Sequence, residues 1–483
     1  MISSLPRHWR QDIEPETQLA VITYHGTILT FDAASGILRH SAIGACEPNI
    51  YALRSDNNIT LIWRNHEIER PIGSFGPAHC AVSADNSAAR LTVTQLQSDL
   101  VALSANGRFL CAEIDGVMAM SRATAELWES FLLVDLSDIA TLAFVVGHRW
   151  LSYCTHEIIE PARIHCAAEH MIELGTSRLP IRTFLKSTHE AGRHGNHPLE
   201  LVLISDDWKV DRYALYRPLV YLVAYGKEEI FRCAEIAICS LFTFGKWDSD
   251  VLLITDASNL NFADRLPEKF RSRVLCVNIP AHDVFDFAMA RYKITEIAIA
   301  ESYQPIIYMD IDIICDASLH TLCESVCLSP QLYVCPEQPL ENTHELEILF
   351  DFYGISLLRS EGIPIDLTRP GISSGVFAFQ NVNLHRLFFE TIISIGYGYF
   401  NASLNRNIFS AFDQPFFNYA LYKMAILQNL SLSHWVHIHN NGNPPLTSKV
   451  EKGLVHFAGG VGNTTPKIEH MTKYESIFLN IRA

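Results

Sequence analysis

The chain has 483 residues, with 37 Lys and Arg against 53 Asp and Glu, so its formal net charge is −16. Hydrophobic residues make up 48% and charged residues 19%, a balance that is typical of globular proteins and excludes a largely disordered chain. At roughly 100–200 residues per domain, this length predicts two to four domains. The acidic balance argues against a protein that binds nucleic acid through broad phosphate attraction.

The sequence predicts a cytoplasmic protein without a transmembrane segment. No apolar run approaches the ~20 residues that a membrane helix needs. Asp12, Glu14 and Glu16 come too early for a signal peptide, which begins with a basic and then an apolar stretch. Most of the 12 cysteines stand alone in apolar surroundings, which favours buried, reduced thiols.

Residues 18–145 read as short strands separated by turns. Asn106-Gly107 and Asp115-Gly116 lie between apolar runs, and such pairs favour hairpins because both residues tolerate positive φ angles. Turns that recur at roughly 8–12-residue spacing are typical of a closed all-β domain. A generic β-sandwich is the alternative.

One segment of this region carries a resemblance. Val101–Ala112, with its Asn-Gly turn, and Trp128 and Phe131 farther on resemble one unit of a fascin-like β-trefoil. The resemblance implies an all-β, β-trefoil-like binding domain over residues 1–145, for sugar or for protein. We assign no catalytic residue to it.

Residues 146–213 are predicted to form a connector of mixed structure. Residues 156–174 read as one or two helices, and residues 187–200 are polar and contain glycine, as a loop does. From residue 214 onward, apolar strands alternate with amphipathic helices. The strands are predicted at 217–226, 250–258, 273–280 and 304–314, and the helices at 228–245 and 286–302. This alternation predicts a parallel sheet with helices on both faces, whose ligands bind beyond the carboxyl ends of the strands.

The motif Asp310-Ile311-Asp312 follows an apolar strand. Residues i and i+2 of a strand point to the same side, so both carboxylates are expected to converge on one cation. Oxygen ligands of this kind suit Mg²⁺ or Mn²⁺. The alternatives are a pair of capping or surface aspartates and a D-x-D-x-T phosphatase, although position 314 is Ile rather than Thr.

Further motifs follow one another between residue 217 and the C-terminus. They are Val220–Gly226 with the helix that ends at Leu241, the basic segment Ala290–Lys293, the loop Pro370–Phe377, the segment Phe412–Asn418 and the segment Leu454–Gly459. Together with D-x-D, they resemble glycosyltransferase family 8, the glycogenin-like and bacterial galactosyltransferase-like enzymes. The resemblance implies a GT-A fold, a Rossmann-like nucleotide-diphospho-sugar transferase domain, over residues 214–483.

The resemblance also implies roles for single residues. His456 would complete a metal site with Asp310 and Asp312, and Mn²⁺ or Mg²⁺ would hold the diphosphate of the donor. As catalytic residues of a retaining enzyme, Gln414 would stabilise an oxocarbenium-like state at the anomeric centre, and Asp413 would bind donor hydroxyls or orient the acceptor. A helix N-terminal cap is the alternative role of both. The donor-binding candidates are Ala224, Tyr225, Arg291 (with Lys293 as its competitor), Ser373, Ser374, Gly375, Gly459 and Gly460.

The sequence departs from the family pattern at three places. Ser373 stands where the family has Asn in its N-S-G loop, and Lys467 is displaced from the position of the Lys in the family's K-P-W segment. The first strand lacks the pattern that contacts uracil. We therefore expect a metal-dependent retaining glycosyltransferase that uses a nucleotide-sugar donor, in the first place a UDP-sugar, and a carbohydrate or glycoconjugate acceptor. The alternative is a sugar- or protein-binding protein whose transferase domain has degenerated.

Overall fold

The structure is a computed structural model of the chain, and it describes residues 18–45, 47–65, 68–75, 80–82, 87–96, 99–166, 170–191, 199–204, 209–340, 351–403, 413–440, 442–459 and 465–479. The chain divides into two compact units, Met1–Tyr213 and Ala214–Ala483. Within the described residues, no helix combines the length and the apolar character that crossing a bilayer requires.

Twelve of the described strands form one antiparallel sheet in the first unit. They are β1 (Gln18–Thr23), β2 (Thr27–Asp32), β3 (Ile37–Ala42), β4 (Ile50–Ser55), β5 (Asn58–Arg64), β6 (Glu69–Phe75), β7 (Cys80–Val82), β8 (Arg90–Gln95), β9 (Leu100–Ala105), β10 (Arg108–Ala112), β11 (Met118–Arg122) and β12 (Phe131–Asp135). In the turn between β9 and β10, Asn106 and Gly107 adopt the positive φ angles, 53° and 73°, that the sequence indicates.

Six of these strands close into a ring. Each pairs with two others in the order β1, β4, β5, β8, β9, β12 and back to β1. The other six form the hairpins β2–β3, β6–β7 and β10–β11. Buried apolar side chains from both groups, among them Val21, Leu61 and Leu103, form one core.

The segment that follows β12 contains two helices, Leu136–Gly147 and Ile181–Ala191, and seven further strands. The strands are β13 (Arg149–Ser152), β14 (Ile158–Ile159), β15 (Arg163–Cys166), β16 (His170–Leu174), β17 (Ser177–Pro180), β18 (Glu200–Ile204) and β19 (Val210–Tyr216). They form two small sheets, in the orders β14-β13-β19-β18 and β15-β16-β17.

The helices predicted at 156–174 are wrong, because this stretch forms β14, β15 and β16. Pro161 has no N–H to donate within a helix. His170, Ile172 and Leu174 are buried in alternation with partly exposed neighbours, which is the period of a strand. The loop predicted at 187–200 is also wrong in its first part, since the helix Ile181–Ala191 extends into it; residues 192–198 lie outside the described residues.

The second unit contains strands β20 to β29. They are β20 (Leu219–Val223), β21 (Asp250–Thr255), β22 (Val274–Asn278), β23 (Ile306–Met309), β24 (Ile313–Cys315), β25 (Leu332–Pro339), β26 (Pro370–Phe379), β27 (Gln428–Asn429), β28 (Val436–Asn440) and β29 (Leu454–Ala458). The α-helices are Glu228–Thr243, Glu268–Arg271, Val284–Met289, His320–Cys327, Ile355–Ser360, Val382–Ser403, Gln414–Lys423 and Thr465–Leu479. The 3₁₀ helices are Ala257–Asn259, Phe262–Arg265, Ala290–Glu296, Ala298–Ser302 and Leu430–His434.

The main sheet of this unit is mixed rather than parallel. Its strand order is β22-β21-β20-β23-β26-β25-β27. The first four strands are mutually parallel, as predicted, but β26 runs antiparallel to both of its neighbours. A smaller sheet has the order β24-β29-β28. The parallel strands β20 and β23 therefore end at the same edge of the main sheet.

The helix predicted at 286–302 is also wrong as a single element. The α-helix ends at Met289 and continues as two 3₁₀ segments. The β-branched residues Ile294, Thr295 and Ile297 lower the helix propensity there. In the first of these 3₁₀ segments, the hydroxyl of Tyr292 donates a buried hydrogen bond to Asp413.

Candidate functional site

The D-x-D motif lies at a break between two sheets. β23 of the main sheet ends at Met309, and β24 of the smaller sheet begins at Ile313. The two aspartates therefore flank a turn, closed by a hydrogen bond from Ile313 N to Asp310 O at 3.2 Å. The prediction that they lie on one face of a continuous strand is wrong. They converge because the chain turns between them.

His456 lies beside this turn because β24 pairs with β29. Ile313 and His456 stand opposite each other in that antiparallel ladder, and Phe457 N donates to Asp312 O at 2.9 Å. Asp310, Asp312 and His456 each place a ligand atom within 4.8 Å of those of the other two. This group of three is the one cluster of possible metal ligands among the described histidines, cysteines and acids.

Asp312 is the more enclosed of the two acids, with 7% of its side chain exposed against 25% for Asp310. Its Oδ2 accepts a hydrogen bond from Lys467 Nζ, and its Oδ1 lies 3.3 Å from His456 Nε2. Burial by itself would raise the pKa of Asp312, but Lys467 and His456 hold it well below its ordinary value. Burial lowers the pKa of His456, and Asp312 outweighs that effect and raises it. The carboxylate is therefore charged at neutral pH.

Two buried atoms of this group have no hydrogen-bond partner among the described residues, namely Asp312 Oδ1 and His456 Nδ1. Gly375, in β26, leaves space beside them. A Cβ at this position would lie 2.6 Å from His456 Cε1 and 3.0 Å from Asp310 Oδ2. Buried polar atoms are rarely left unpartnered, so an unpartnered carboxylate oxygen beside an imidazole fits a site for a divalent cation.

Arg291 reaches the same site from the first 3₁₀ segment. Its Nη1 donates to Ser374 O at 2.8 Å, and its Nη2 lies 3.4 Å from Asp310 Oδ1. Its Nε lies 3.5 Å from Asp413 Oδ2, and its guanidinium stacks over the ring of Tyr308. Burial lowers the pKa of Arg291, but Asp310 and Asp413 raise it well above its ordinary value. This arginine is a fixed positive charge.

Asp413 and Gln414 begin the helix Gln414–Lys423. Asp413 is buried and accepts a hydrogen bond from Tyr292 at 2.6 Å. Burial raises its pKa, and Arg291 opposes that rise. Asp413 makes no side-chain cap to this helix, and the described contacts of its carboxylate point to Tyr292 and Arg291 instead. Gln414 Oε1 accepts from Ser374 N at 3.3 Å.

The other predicted donor-binding residues are placed as follows. Ser373 is buried, and its Oγ accepts from Gly375 N at 3.4 Å. Gly459 follows β29 with a φ angle of +91°. Ala224 and Tyr225 follow β20, and Tyr225 is buried with one face stacked on Phe287 at 5.0 Å. Gly460 lies outside the described residues.

A cavity of about 360 Å³ adjoins the D-x-D turn. Its lining includes the apolar or aromatic side chains Val223, Tyr225, Ile230, Val284, Phe287 and Ala288 and the charged side chains Lys227, Arg291, Asp310, Asp312 and Lys467. Another cavity, of about 440 Å³, has Arg369 as its one charged lining residue among those described. The first cavity combines an apolar wall with opposed charges and is the stronger candidate for a ligand site.

Three residues of the site were not predicted as such. Tyr308 stands in an apolar run and looks like a core residue, and Tyr292 stands between Arg291 and Lys293 in the basic segment. The hydroxyl of Tyr292 donates to Asp413, and that of Tyr308 donates to Asp310. Tyr308 precedes Asp310 by two residues, and this spacing in the sequence could have indicated that its hydroxyl reaches the carboxylate. Lys467 is a departure from the family pattern in sequence, but the helix Thr465–Leu479 brings its ammonium to Asp312.

No family model matches the chain, and no curated protein matches it. Among solved structures, the chain is similar to the galactosyltransferase LgtC in complex with donor and acceptor sugar analogs, at 14% identity and a TM-score of 0.36 over 53% of this chain and 95% of that one. It is also similar to the bifunctional glycosyltransferase WbbM (14%, TM-score 0.35, 55% of this chain and 51% of that one). Mouse xyloside xylosyltransferase 1 is a further match (14%, TM-score 0.34, 52% and 98%). Because these TM-scores lie below 0.5, a functional assignment has to rest on the residues of the site itself.

Proposed function

We propose that residues 214–483 form a GT-A glycosyltransferase domain. The enzyme is metal-dependent and retaining, and it transfers a hexose from a nucleotide-diphosphate sugar, in the first place a UDP-sugar, to a hydroxyl of a carbohydrate or glycoconjugate. The observation that carries this proposal is the convergence of Asp310, Asp312 and His456 beside a cavity with an apolar wall. An apolar wall suits a base, and a metal beside it suits a diphosphate.

Asp310, Asp312 and His456 would hold the cation. Their donor set, two carboxylate oxygens and one imidazole nitrogen, suits Mn²⁺ and also accepts Mg²⁺. When bound, such an ion supplies positive charge to the leaving nucleoside diphosphate. The absence of a Cβ at Gly375 keeps the space beside the ligand atoms open.

The cations of the site would bind the donor. Arg291 has a planar guanidinium that suits phosphate or sugar hydroxyls, and its contacts with Ser374 and Asp413 fix its orientation. Lys467 is also within the lining of the cavity, where it would contact the diphosphate. Ser373, Ser374, Gly375, Ala224, Tyr225, Gly459 and Gly460 stay predictions as donor-binding residues.

Gln414 would stabilise the charge that develops at the anomeric carbon. Its contact with Ser374 N holds it beside the loop that also receives Arg291. Asp413 is too buried to be the first contact of an incoming acceptor, so its role would be to position Arg291 and, once the donor is bound, to accept from a donor hydroxyl. A front-face retaining reaction needs no enzymatic nucleophile, which agrees with an amide at position 414.

The first unit would contribute a β-trefoil-like binding module for sugar or protein. Support comes from the ring of six strands with three hairpins outside it and from the nearly equal spacing of β1, β5 and β9 along the chain. A β-sandwich would instead consist of two facing sheets. The division into residues 1–145, 146–213 and 214–483 and the cytoplasmic location stay predictions.

The sequence leaves two other functions open, a phosphatase and a degenerate transferase domain. A D-x-D-x-T phosphatase has little support, because Ile314 is buried in β24 opposite Val455 and offers no hydroxyl. A degenerate transferase domain is the stronger alternative, and it predicts that replacing the D-x-D aspartates changes no ligand binding.

The decisive experiment screens nucleotide sugars for hydrolysis and transfer by the purified full chain with Mn²⁺. Release of nucleoside diphosphate that depends on both Mn²⁺ and Asp312 supports the proposal. A folded protein that releases nothing from any nucleotide sugar, and that binds no nucleoside diphosphate with Mn²⁺, contradicts it.

A further inference from the structure

Each aspartate of the D-x-D motif already has a cation of the chain beside it. Arg291 Nη2 lies 3.4 Å from Asp310 Oδ1, and Lys467 Nζ donates to Asp312 Oδ2. Arg291 and Asp310 are also tied to other groups, Ser374 and Tyr308. Lys467 differs from Arg291, because among the described residues the hydrogen bond and ion pair of its ammonium both lead to Asp312.

The ammonium of Lys467 is largely enclosed. Its side chain is 19% exposed, and that of Asp312 is 7% exposed. Burial lowers the pKa of Lys467, but Asp312 and Asp310 raise it above its ordinary value. A buried carboxylate without a partner is costly, so Asp312 gains a counter-charge from this lysine.

A divalent cation held by Asp310, Asp312 and His456 would need the same carboxylate. Arg291 and Lys467 bring two positive charges against the three acids Asp310, Asp312 and Asp413, so a divalent ion alone would leave an excess of positive charge in an enclosed site. A diphosphate supplies negative charge that offsets this excess and offers oxygens to the ammonium of Lys467. Metal and diphosphate therefore compensate each other's charge.

We propose that Lys467 is an internal counter-cation that occupies Asp312 in the donor-free protein and moves to the diphosphate when metal and nucleotide bind together. The proposal rests on the proposed function, since it uses the same metal and donor sites. Its consequence is a coupling of metal and nucleotide affinities, which by linkage is the same in both directions. The coupling arises from one side chain that has two alternative anionic partners.

Titration calorimetry with Mn²⁺, with and without saturating UDP, tests this on the full chain. In the natural protein, UDP is expected to raise Mn²⁺ affinity by about tenfold or more. Lys467→Met is expected to bind Mn²⁺ without UDP about tenfold more tightly than the natural protein, and to gain less from UDP. Lys473→Met, on the exposed side of the same helix, is the matched control and should behave like the natural protein.

Lys467→Arg keeps the positive charge and should retain most of the coupling, which separates loss of charge from loss of packing. If Lys467→Met binds Mn²⁺ no more tightly than the natural protein, or if UDP leaves the Mn²⁺ affinity of the natural protein unchanged, the counter-cation role is wrong while the glycosyltransferase proposal stands. The second of these measurements needs no variant to fold. If the natural protein and Lys467→Met both fail to bind Mn²⁺ with or without UDP, the proposed function falls as well.

Discussion

The hydroxyl of Tyr292 donates a hydrogen bond of 2.6 Å to Asp413 Oδ2, across 121 residues of sequence. Both side chains are buried, and the bond joins the 3₁₀ segment that presents Arg291 to the start of the helix Gln414–Lys423. Asp413 also lies beside Arg291, so this bond fixes the acid that in turn orients the arginine.

Tyr292→Phe should therefore cost both stability and activity. Loss of a buried hydrogen bond to a carboxylate is expected to lower the free energy of unfolding by about 1–3 kcal/mol. Nucleotide-sugar hydrolysis should fall as well, because Arg291 loses its fixed orientation. Urea unfolding and a hydrolysis assay measure the two effects. Tyr333→Phe is the control, because it removes the hydrogen bond from another buried tyrosine to Ser325 O and should leave hydrolysis unchanged. Equal losses of activity in the two variants would contradict the proposed role of Tyr292.

Gly375→Ala should block the metal site without unfolding the domain. The added Cβ would lie 2.6 Å from His456 Cε1, and the backbone of Gly375 does not need a positive φ angle. Binding of UDP in the presence of Mn²⁺, measured by calorimetry, is expected to weaken by about tenfold or more, since misplaced ligands lose affinity by such factors.

Gly398→Ala is the control for this variant. It lies in the helix Val382–Ser403, where a Cβ meets no atom within 4 Å. It should raise stability by up to about 1 kcal/mol and leave binding unchanged. Normal Mn²⁺-dependent UDP binding by Gly375→Ala would show that the glycine does not keep the metal site open.

Asp312→Asn should abolish the coupling between Mn²⁺ and UDP. Because Asp312 is itself a proposed ligand, the loss should exceed the about 10–100-fold that removing a second-shell partner of a ligand costs. The exposed residue Asp366 provides the control Asp366→Asn. If a folded Asp312→Asn protein still binds UDP with Mn²⁺ as tightly as the natural protein, the D-x-D site is not the metal site. That result would support the alternative of a degenerate transferase domain.

The second unit should lose stability below about pH 6.5 through His385. This histidine is buried with Nε2 unpartnered among the described residues, and burial lowers its pKa from 6.5 to about 4. The unfolded chain therefore binds the proton more tightly, so stability is complete above pH 6.5 and is lost as the pH falls toward 4. The difference amounts to at most about 3 kcal/mol.

Urea unfolding at pH 7.5 and pH 5 measures this effect. His385→Leu should be less sensitive to acid than the natural protein, whereas His434→Leu, at an exposed position, should show the natural sensitivity. An unchanged pH dependence in His385→Leu would mean that other groups cause the acid sensitivity.

Short-range patterns in the sequence predicted the ligand types of the site but not its geometry. Asp310, Asp312 and His456 stand in recognisable motifs, and the structure brings them together. The turn after Met309 was missed, because an apolar run on both sides of D-x-D reads as one strand. The strand is interrupted because its two halves, β23 and β24, pair in two different sheets, and only the tertiary structure decides this pairing.

The same limit explains the missed lysine and the missed hydroxyls. Lys467 meets Asp312 across 155 residues, and the periodicity of its helix does not say which face reaches the site. Tyr308 is a buried aromatic residue in an apolar strand, whereas Tyr292 is buried although Arg291 and Lys293 flank it in sequence. The hydrogen-bond partner of Tyr292, Asp413, is 121 residues away in sequence, so a local pattern does not identify it.

The closed ring of β1, β4, β5, β8, β9 and β12 also bears on how the first unit behaves in a crowded cell. A strand at the margin of an open sheet offers unpaired N–H and C=O groups to other chains, which is a route to aggregation. Each strand of the ring already has a neighbour on both sides, so an approaching chain finds little of its backbone to extend. The ring therefore leaves the loops of the hairpins β2–β3 and β10–β11 exposed to contact while its own strands offer few free backbone groups to a strand of another chain.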